Sequence, residues 1–485
     1  MKVVLISTYE LGHQPFGLAS PAAWLRRAGA GVICLDLSRQ SLHDETIGAA
    51  DVVAFYVPMH TATRLAIPLI ERVRSLNPRA HLCFYGLYAP VNETYLRDLG
   101  VDTILGGEFE GALAELVRQL GDSEVGTGKP QGSDAEASLG NRSNQSATKQ
   151  GTARAAGGSE GTISLERLNF IPPDRGGLPA LGQYAHLLMP EGGFKVSGYT
   201  EASRGCKHLC RHCPVVPVYK GAFRIVQRDV VMEDIRRQVD AGAEHVTFGD
   251  PDFFNGPTHA VEIVQALHRE FPDLSYDVTI KVEHLLEQRE LLPVLRQTGC
   301  AFVTTAVESV DDRVLRMLDK GHSRADFIHL ATLMRALGLF LVPTFVPFTP
   351  WTTLEGYQEL LSTVAKLELI EHVPPVQLTI RLLIPAGSRL LEITDLYGVK
   401  LEAFESERLM YPWRNPDPLV DELQRELEEM VQRESKKGAG RGEIFAQIWK
   451  LTQRARGADF EEMVPAMPPA AARVTIPYLT EPWYC

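Results

Sequence analysis

The sequence predicts an α/β protein with two parallel-sheet units: a doubly wound, flavodoxin-like domain, then a partial (β/α)6 barrel with a mainly helical C-terminal extension. Three observations predict it. Short apolar runs alternate with amphipathic stretches over residues 1–120 and again over 196–395. Between the two series, residues 121–161 are dominated by Gly, Ser, Ala, Thr, Asn and Gln, and bury too little apolar surface to offset ordering entropy, so they read as a disordered linker. Three cysteines follow the first strand of the second series directly.

In the first domain the runs predict strands over 3–7, 32–37, 52–57, 81–85 and 103–105, with helices over 18–28, 61–76 and 110–120. Strands this uniformly apolar are those of a sheet covered on both faces. Ligands of such sheets sit outside the carboxyl ends of the strands. That gathers Thr8, Tyr9 and His13 after the first strand, Pro58 and Met59 after the third, Tyr85 and Gly86 after the fourth, and Gly106, Gly107 and Glu108 after the last around one crevice. Residues 162–195 read as a connecting segment laid across a domain surface. The barrel strands are expected over 195–200, 245–248, 275–280, 302–306, 340–345 and 376–380, with chemistry at their carboxyl ends. Residues 396–485 carry helices over 418–434 and 442–456 and then a Pro-rich tail.

Composition narrows the function classes. A net charge of −12 with scattered Lys and Arg argues against a nucleic-acid binder. Of seven cysteines three are clustered and the rest isolated, which is no disulfide framework and fits a reducing cytoplasm. No apolar run is long enough to span a bilayer and no leader pattern opens the chain, so a soluble protein without a membrane partner is expected.

Cys206, Cys210 and Cys213 have the spacing C-x3-C-x2-C. A [4Fe–4S] cube takes four thiolates, so three on one loop leave one iron open to a non-protein ligand. Structural zinc needs a fourth ligand; His208 and His212 are the nearest candidates, on a loop cramped for that purpose.

The cysteine loop resembles that of radical S-adenosylmethionine (SAM) enzymes, in which SAM chelates the open iron and is cleaved reductively to a 5′-deoxyadenosyl radical. The resemblance extends to other strand ends. It implies that His212 packs beside the adenine of SAM, or is a plain loop histidine. Gly249, Asp250 and Asp252, in Phe248-Gly-Asp-Pro-Asp-Phe253, would receive the SAM ammonium, or the carboxylates would cap the next helix. Glu308 and Ser309, in Thr304-Thr-Ala-Val-Glu-Ser309, would contact the ribose or carboxylate. Lys281 would pair with the SAM carboxylate or lie on the surface, and Phe348 would wall the adenine or pack in the core.

The domain order resembles the B12-binding radical SAM subfamily, with Gly106-Gly-Glu-Phe-Glu-Gly111 close to its Gly-Glu-x-Glu turn. This implies cobalamin in the crevice. The Asp-x-His-x-x-Gly motif that supplies a lower cobalt ligand in many B12 proteins is absent; His13 is either a substitute or a residue lining the loop or facing solvent. The end of the chain, Pro477-Tyr-Leu-Thr-Glu-Pro-Trp-Tyr-Cys485, resembles the CUAEP/CCAEP-tail radical SAM proteins, which makes Cys485 either an incidental exposed cysteine or a redox or soft-metal arm that would precede a selenocysteine. The resemblances imply a radical SAM enzyme that transfers a methyl group from cobalamin to a small molecule and takes electrons from a flavodoxin or ferredoxin. The alternatives are radical rearrangement or cyclisation without functional cobalamin and, in another class, an iron–sulfur sensor or electron carrier.

Overall fold

The computed structural model describes residues 1–125, 162–394, 398–457 and 476–480. In the first unit β1 (Lys2–Ser7), β2 (Gly31–Asp36), β3 (Val52–Tyr56), β4 (His81–Tyr85) and β5 (Thr103–Gly107) run parallel in the order β2-β1-β3-β4-β5. The period-2 alternation of a strand sends Val4 and Ile6 into one core, with Ile70 and Val73 of helix His60–Leu76. Val3 and Leu5 enter the other, with Leu18 and Leu113 of helices Phe16–Arg27 and Phe109–Val125. Both faces are therefore dry, as the apolar runs predict. The last helix continues past residue 120 to Val125, and the rest of the predicted linker, 126–161, lies outside the described residues.

The connecting segment differs from expectation. Rather than crossing a surface it enters both sheets: β6 (Ile163–Ser164) extends the first, pairing parallel with Gly106 and Gly107, and β7 (His186–Leu188) pairs antiparallel with β8 (Phe194–Thr200) in the second. Arg175 fixes it further, meeting the buried Asp234 at 2.9 Å.

After β8, β9 (Ser203–Gly205) and β10 (Phe223–Ile225) form a small antiparallel ribbon. The second sheet then adds β11 (His245–Phe248), β12 (Ser275–Thr279), β13 (Cys300–Glu308), β14 (Leu341–Phe345) and, antiparallel at the far edge, β15 (Tyr478–Leu479), in the order β14-β13-β12-β11-β8-β7-β15. This is a curled half-barrel with five parallel strands. The sixth strand expected at 376–380 is instead a 3-10 turn, Pro375–Leu378, with one bridge between Phe348 and Arg381. Two prolines, Pro374 and Pro375, supply no N–H to a ladder, and the Gln377 side chain accepts the Phe345 N–H at 3.2 Å in place of a strand carbonyl. On the convex side Val246, Phe248, Tyr276, Val278 and Val303 share one core with Ile235, Ile263, Leu330 and Leu361 of the covering helices and with Leu427 and Ile448 of helices Pro418–Lys436 and Arg441–Ala455. No helix among the described residues is long and apolar enough to cross a membrane.

Candidate active site

The cysteine loop leaves β9 at Gly205, whose φ of +74° suits glycine and whose Cβ would fall 2.6 Å from the Ala222 carbonyl oxygen. The end of β11 anchors its start: Asp250 accepts the Ala202 N–H at 2.9 Å and the Ser203 hydroxyl at 2.5 Å. Asn255 accepts the Lys207 N–H and donates to the Gly205 carbonyl, and Arg389 donates to the carbonyl of Leu209. Cys206, Cys210 and Cys213 are free thiols held by this frame, Cys210 being buried. Burial pushes Cys206 up to about 11 and Cys213 up to about 12, so binding an iron–sulfur cluster, which needs thiolates, releases protons. Three unbridged sulfurs on one pinned loop fit the three-thiolate cube.

Around the loop the candidate SAM residues sort by environment. Glu308 ends β13 with φ of +65°, a left-handed conformation that is strained for a non-glycine residue. Its Oε1 lies 3.1 Å from His212 Nε2 and 3.3 Å from Lys320 Nζ. Burial pushes the carboxyl up, but the Lys320 ammonium and His212 outweigh it and hold it at about 2. Asp250 is pushed to about 7 by burial, and both its oxygens serve the loop backbone and Ser203. Asp252 does cap a turn, accepting the Phe254 N–H at 3.1 Å, while its other oxygen lies 2.7 Å from His284 Nδ1. His284 Nε2 faces His208 Nε2 at 3.1 Å, and His208 Nδ1 meets Lys281 Nζ at 3.0 Å. Lys281 is buried in this chain rather than on the surface, and also pairs with Glu283 at 2.8 Å.

Gly249 is a close-approach site: a Cβ there would lie 1.8 Å from the Tyr199 hydroxyl oxygen. The Ser309 hydroxyl accepts the Asp311 N–H and so shapes the turn after β13. Of the two readings of Phe348, its surroundings are those of core packing. It is fully buried in the convex core, with its ring 4.8 Å from that of Tyr357.

The crevice of the first domain faces the barrel directly. His13 is neither solvent-facing nor on an open loop: it is 4% exposed, its ring 4.9 Å from that of Tyr199 on β8, and burial lowers it to about 4, a neutral imidazole. Thr8 donates to the Ala62 carbonyl, Tyr9 is half-buried, and the Tyr85 hydroxyl donates to the Gly17 carbonyl at 2.8 Å. Pro58 and Met59 are half-buried, the Met59 carbonyl accepting from Thr63. Gly86 lies against the Tyr56 ring. Gly106 donates its N–H to the Thr162 carbonyl, and Gly107 lies against the Ser164 carbonyl, so β6 covers that turn. Glu108 reaches Arg204 of β9 and the Tyr219 hydroxyl. At the β1 end, Ser7 Oγ, Glu10 Oε2 and His13 Nδ1 are buried without a hydrogen-bond partner among the described residues. Buried polar atoms are normally satisfied, so this end fits a cofactor whose rim carries hydrogen-bonding groups. Cys485 lies outside the described residues.

Sequence reasoning missed Arg204, Lys320, His284 and the His245–Asp277 pair. Arg204 stands two residues before the first cysteine, and Lys320 and His284 follow strands already singled out, so position relative to strand ends was the available signal. Their partners are distant in sequence.

Comparison with known proteins agrees with this geometry. Residues 200–363 match the model of the Radical SAM superfamily. The hopanoid C-3 methylase of Methylococcus capsulatus is 24% identical over 345 residues, covering 70% of this chain and 62% of the methylase, so this chain spans less than two thirds of that relative. The structure of OxsB, a cobalamin-dependent SAM radical enzyme solved with aqua-cobalamin and SAM bound, superposes with a TM-score of 0.63 at 13% identity over 90% of this chain and 67% of OxsB. TsrM, a radical SAM methyltransferase from Kitasatospora setae solved with tryptophan and a SAM analogue, gives 0.57 at 15% identity over 83% of this chain and 79% of TsrM. A radical SAM domain implies a [4Fe–4S] cluster and SAM. Residues 200–363 are thus similar to the Radical SAM superfamily, and the chain shares with OxsB and TsrM the fold of a parallel-sheet N-terminal domain joined to a half-barrel.

Proposed function

We propose that this protein is a cobalamin-dependent radical SAM enzyme that methylates a small molecule, with electrons from a flavodoxin or ferredoxin. The observation that carries the reading is the direct apposition of the crevice and the cysteine loop, with Glu108 and His13 of the first domain touching Arg204 and Tyr199 of the barrel. When bound, the cluster and SAM supply a hydrogen-abstracting radical and cobalamin a transferable methyl group. The protein's residues supply position. Cys206, Cys210 and Cys213 would hold the cluster; Glu308, fixed as a carboxylate by Lys320, would accept from ribose hydroxyls; His212 would flank the adenine; Asp252 and Lys281 would meet the ammonium and carboxylate of SAM. Ser7, Glu10 and His13 would meet the corrin rim, and the neutral ring of His13 can accept or donate a hydrogen bond there. The apolar convex core and β7 keep bulk water from the barrel floor.

A second reading, rearrangement or cyclisation without functional cobalamin, is favoured by one observation: β6 and Tyr56 cover Gly107 and Gly86, two glycines of the crevice. Anaerobic reconstitution with iron, sulfide and hydroxocobalamin, followed by cobalt analysis and mass spectrometry of products from methyl-labelled SAM, separates the two. Cobalt uptake with label in a product supports the first; SAM cleavage without cobalt uptake transfers the assignment to the second. The tail is also read as functional, Cys485 acting as a redox or soft-metal arm. Turnover and metal binding unchanged in Cys485→Ser would sink that part.

A further inference from the structure

We infer that the concave face of the half-barrel binds a small molecule carrying a basic nitrogen, whose ammonium pairs with Asp277. This rests on reading the barrel as the reaction chamber.

Strand alternation fixes which side chains enter the chamber. Val246, Phe248, Tyr276, Val278, Leu341 and Phe345 lie in the convex core, so their neighbours Thr247, Asp277 and Thr344 point the other way. The register sets Tyr199, Thr247 and Asp277 side by side in one row across β8, β11 and β12, and Thr279 beside Thr304 in the next row towards the cysteine loop. The convex residues are almost fully buried, whereas Tyr199, Thr279, Ala306 and Thr344 on the concave side are only partly so. An open face rich in hydroxyls and small side chains accepts a polar guest better than a hydrocarbon.

Asp277 is the carboxylate of that row. Its Oδ1 accepts from the Thr247 hydroxyl at 2.7 Å and lies 2.8 Å from His245 Nε2. The other ring nitrogen of His245 is 2.9 Å from Ser275 Oγ, so the imidazole is held from both sides and the carboxylate orientation is locked. Oδ2 has no hydrogen bond among the described residues, and no Lys or Arg lies within ion-pair distance. The buried carboxylates Asp234 and Glu308 each hold a fixed cation, Arg175 and Lys320. Asp277, itself 5% exposed, thus keeps one oriented oxygen and no fixed Lys or Arg, on a face whose other members Tyr199 and Thr279 are partly exposed. A carboxylate removed from water is strongly stabilised by a hydrogen-bonded cation. A lone carboxylate among hydroxyls is too few ligands for a hard metal ion, which takes six or more oxygens; a single ammonium fits.

The test is anaerobic calorimetry on the full chain loaded with its cluster, using benzylamine, benzyl alcohol and benzoate as probes of equal size and different charge. Benzylamine should bind at least tenfold tighter than benzyl alcohol, and benzoate not at all. Asp277→Asn should erase the preference while the cluster absorbance stays intact; if that variant loses its cluster, Asp277→Ser, which keeps an oxygen for Thr247 and His245, serves instead. Equal affinities in the wild type, or a preference surviving loss of the carboxylate, would overturn the assignment. Cobalt uptake measured on the same preparation keeps the two readings apart. Preference for benzylamine without cobalt leaves the ammonium site standing and removes the methylase reading, and cobalt without preference does the reverse.

Discussion

Arg204 Nη2 lies 2.7 Å from Glu110 Oε1, joining the ribbon strand β9 that leads into the cysteine loop to the first helical turn after the Gly-Gly-Glu segment of the other domain. The same guanidinium makes a second bond to Glu110, reaches Glu108 at 3.3 Å and Glu201 at 2.6 Å, and packs against the rings of Phe170, Phe109 and Phe16. One cation therefore serves three carboxylates, the buried Glu108 and Glu110 across the domain boundary and Glu201 on its own side. Removing it strands them, at a cost of about 3–5 kcal/mol. Arg204→Gln should lower stability by that amount in anaerobic denaturant titrations and reduce iron retention. Arg204→Lys should recover only part, because an ammonium cannot reproduce the bidentate fork. Unchanged stability in Arg204→Gln would show the clamp to be dispensable.

Glu108 gives a pH signature. Burial raises its carboxyl to about 7, against the lowering pull of Arg204, with Glu110 adding to the rise. A carboxyl whose folded value exceeds its unfolded value of 4.5 binds more protons in the folded state between those limits, so stability falls as pH rises from about 4.5 through about 7. At 1.36 kcal/mol per pH unit the full span is about 3 kcal/mol. Thermal midpoints measured from pH 5 to 8 should decline more steeply for the wild type than for Glu108→Gln. Parallel slopes would place the proton elsewhere.

At Gly249 the Tyr199 hydroxyl occupies the space a methyl group would need. Gly249→Ala should destabilise the protein by about 1–3 kcal/mol through overpacking and weaken SAM binding at the adjoining strand end. Tyr199→Ala in the same chain should return most of the stability, giving a coupling energy above about 1 kcal/mol in a double-mutant cycle. Additive effects would mean that the two residues do not compete for that volume.

Each of Cys206, Cys210 and Cys213 should prove necessary, since the pinned loop offers no adjacent fourth thiolate. Replacing any one by Ala should abolish the iron–sulfur absorbance and reductive SAM cleavage, whereas Cys34→Ala, Cys83→Ala and Cys300→Ala, at buried packing sites where burial raises the thiol far from ionisation, should keep both. Formation of 5′-deoxyadenosine by the triple loop variant would refute the assignment.

Periodicity and local spacing determined the parallel-sheet class of both units, the helices near 18–28, 61–76, 418–434 and 442–456, and the cysteine loop, because a strand period, a helical face and a three-cysteine spacing are all local properties of the chain. Pairing across space was decided only by the tertiary structure. The Pro374-Pro375 stretch became a turn because the Gln377 side chain took over a strand's hydrogen bond, and residues 162–195 entered both sheets because free strand edges there needed partners. Which of its two readings Phe348 takes, and the burial of His13 at the domain boundary, were open for the same kind of reason: burial depends on what packs opposite. The Arg204 clamp joins positions about ninety residues apart, and the Asp277 row spans three strands whose register no single segment encodes. Side-chain chemistry is written residue by residue, but the partner that gives it a charge state and a direction is supplied by the fold.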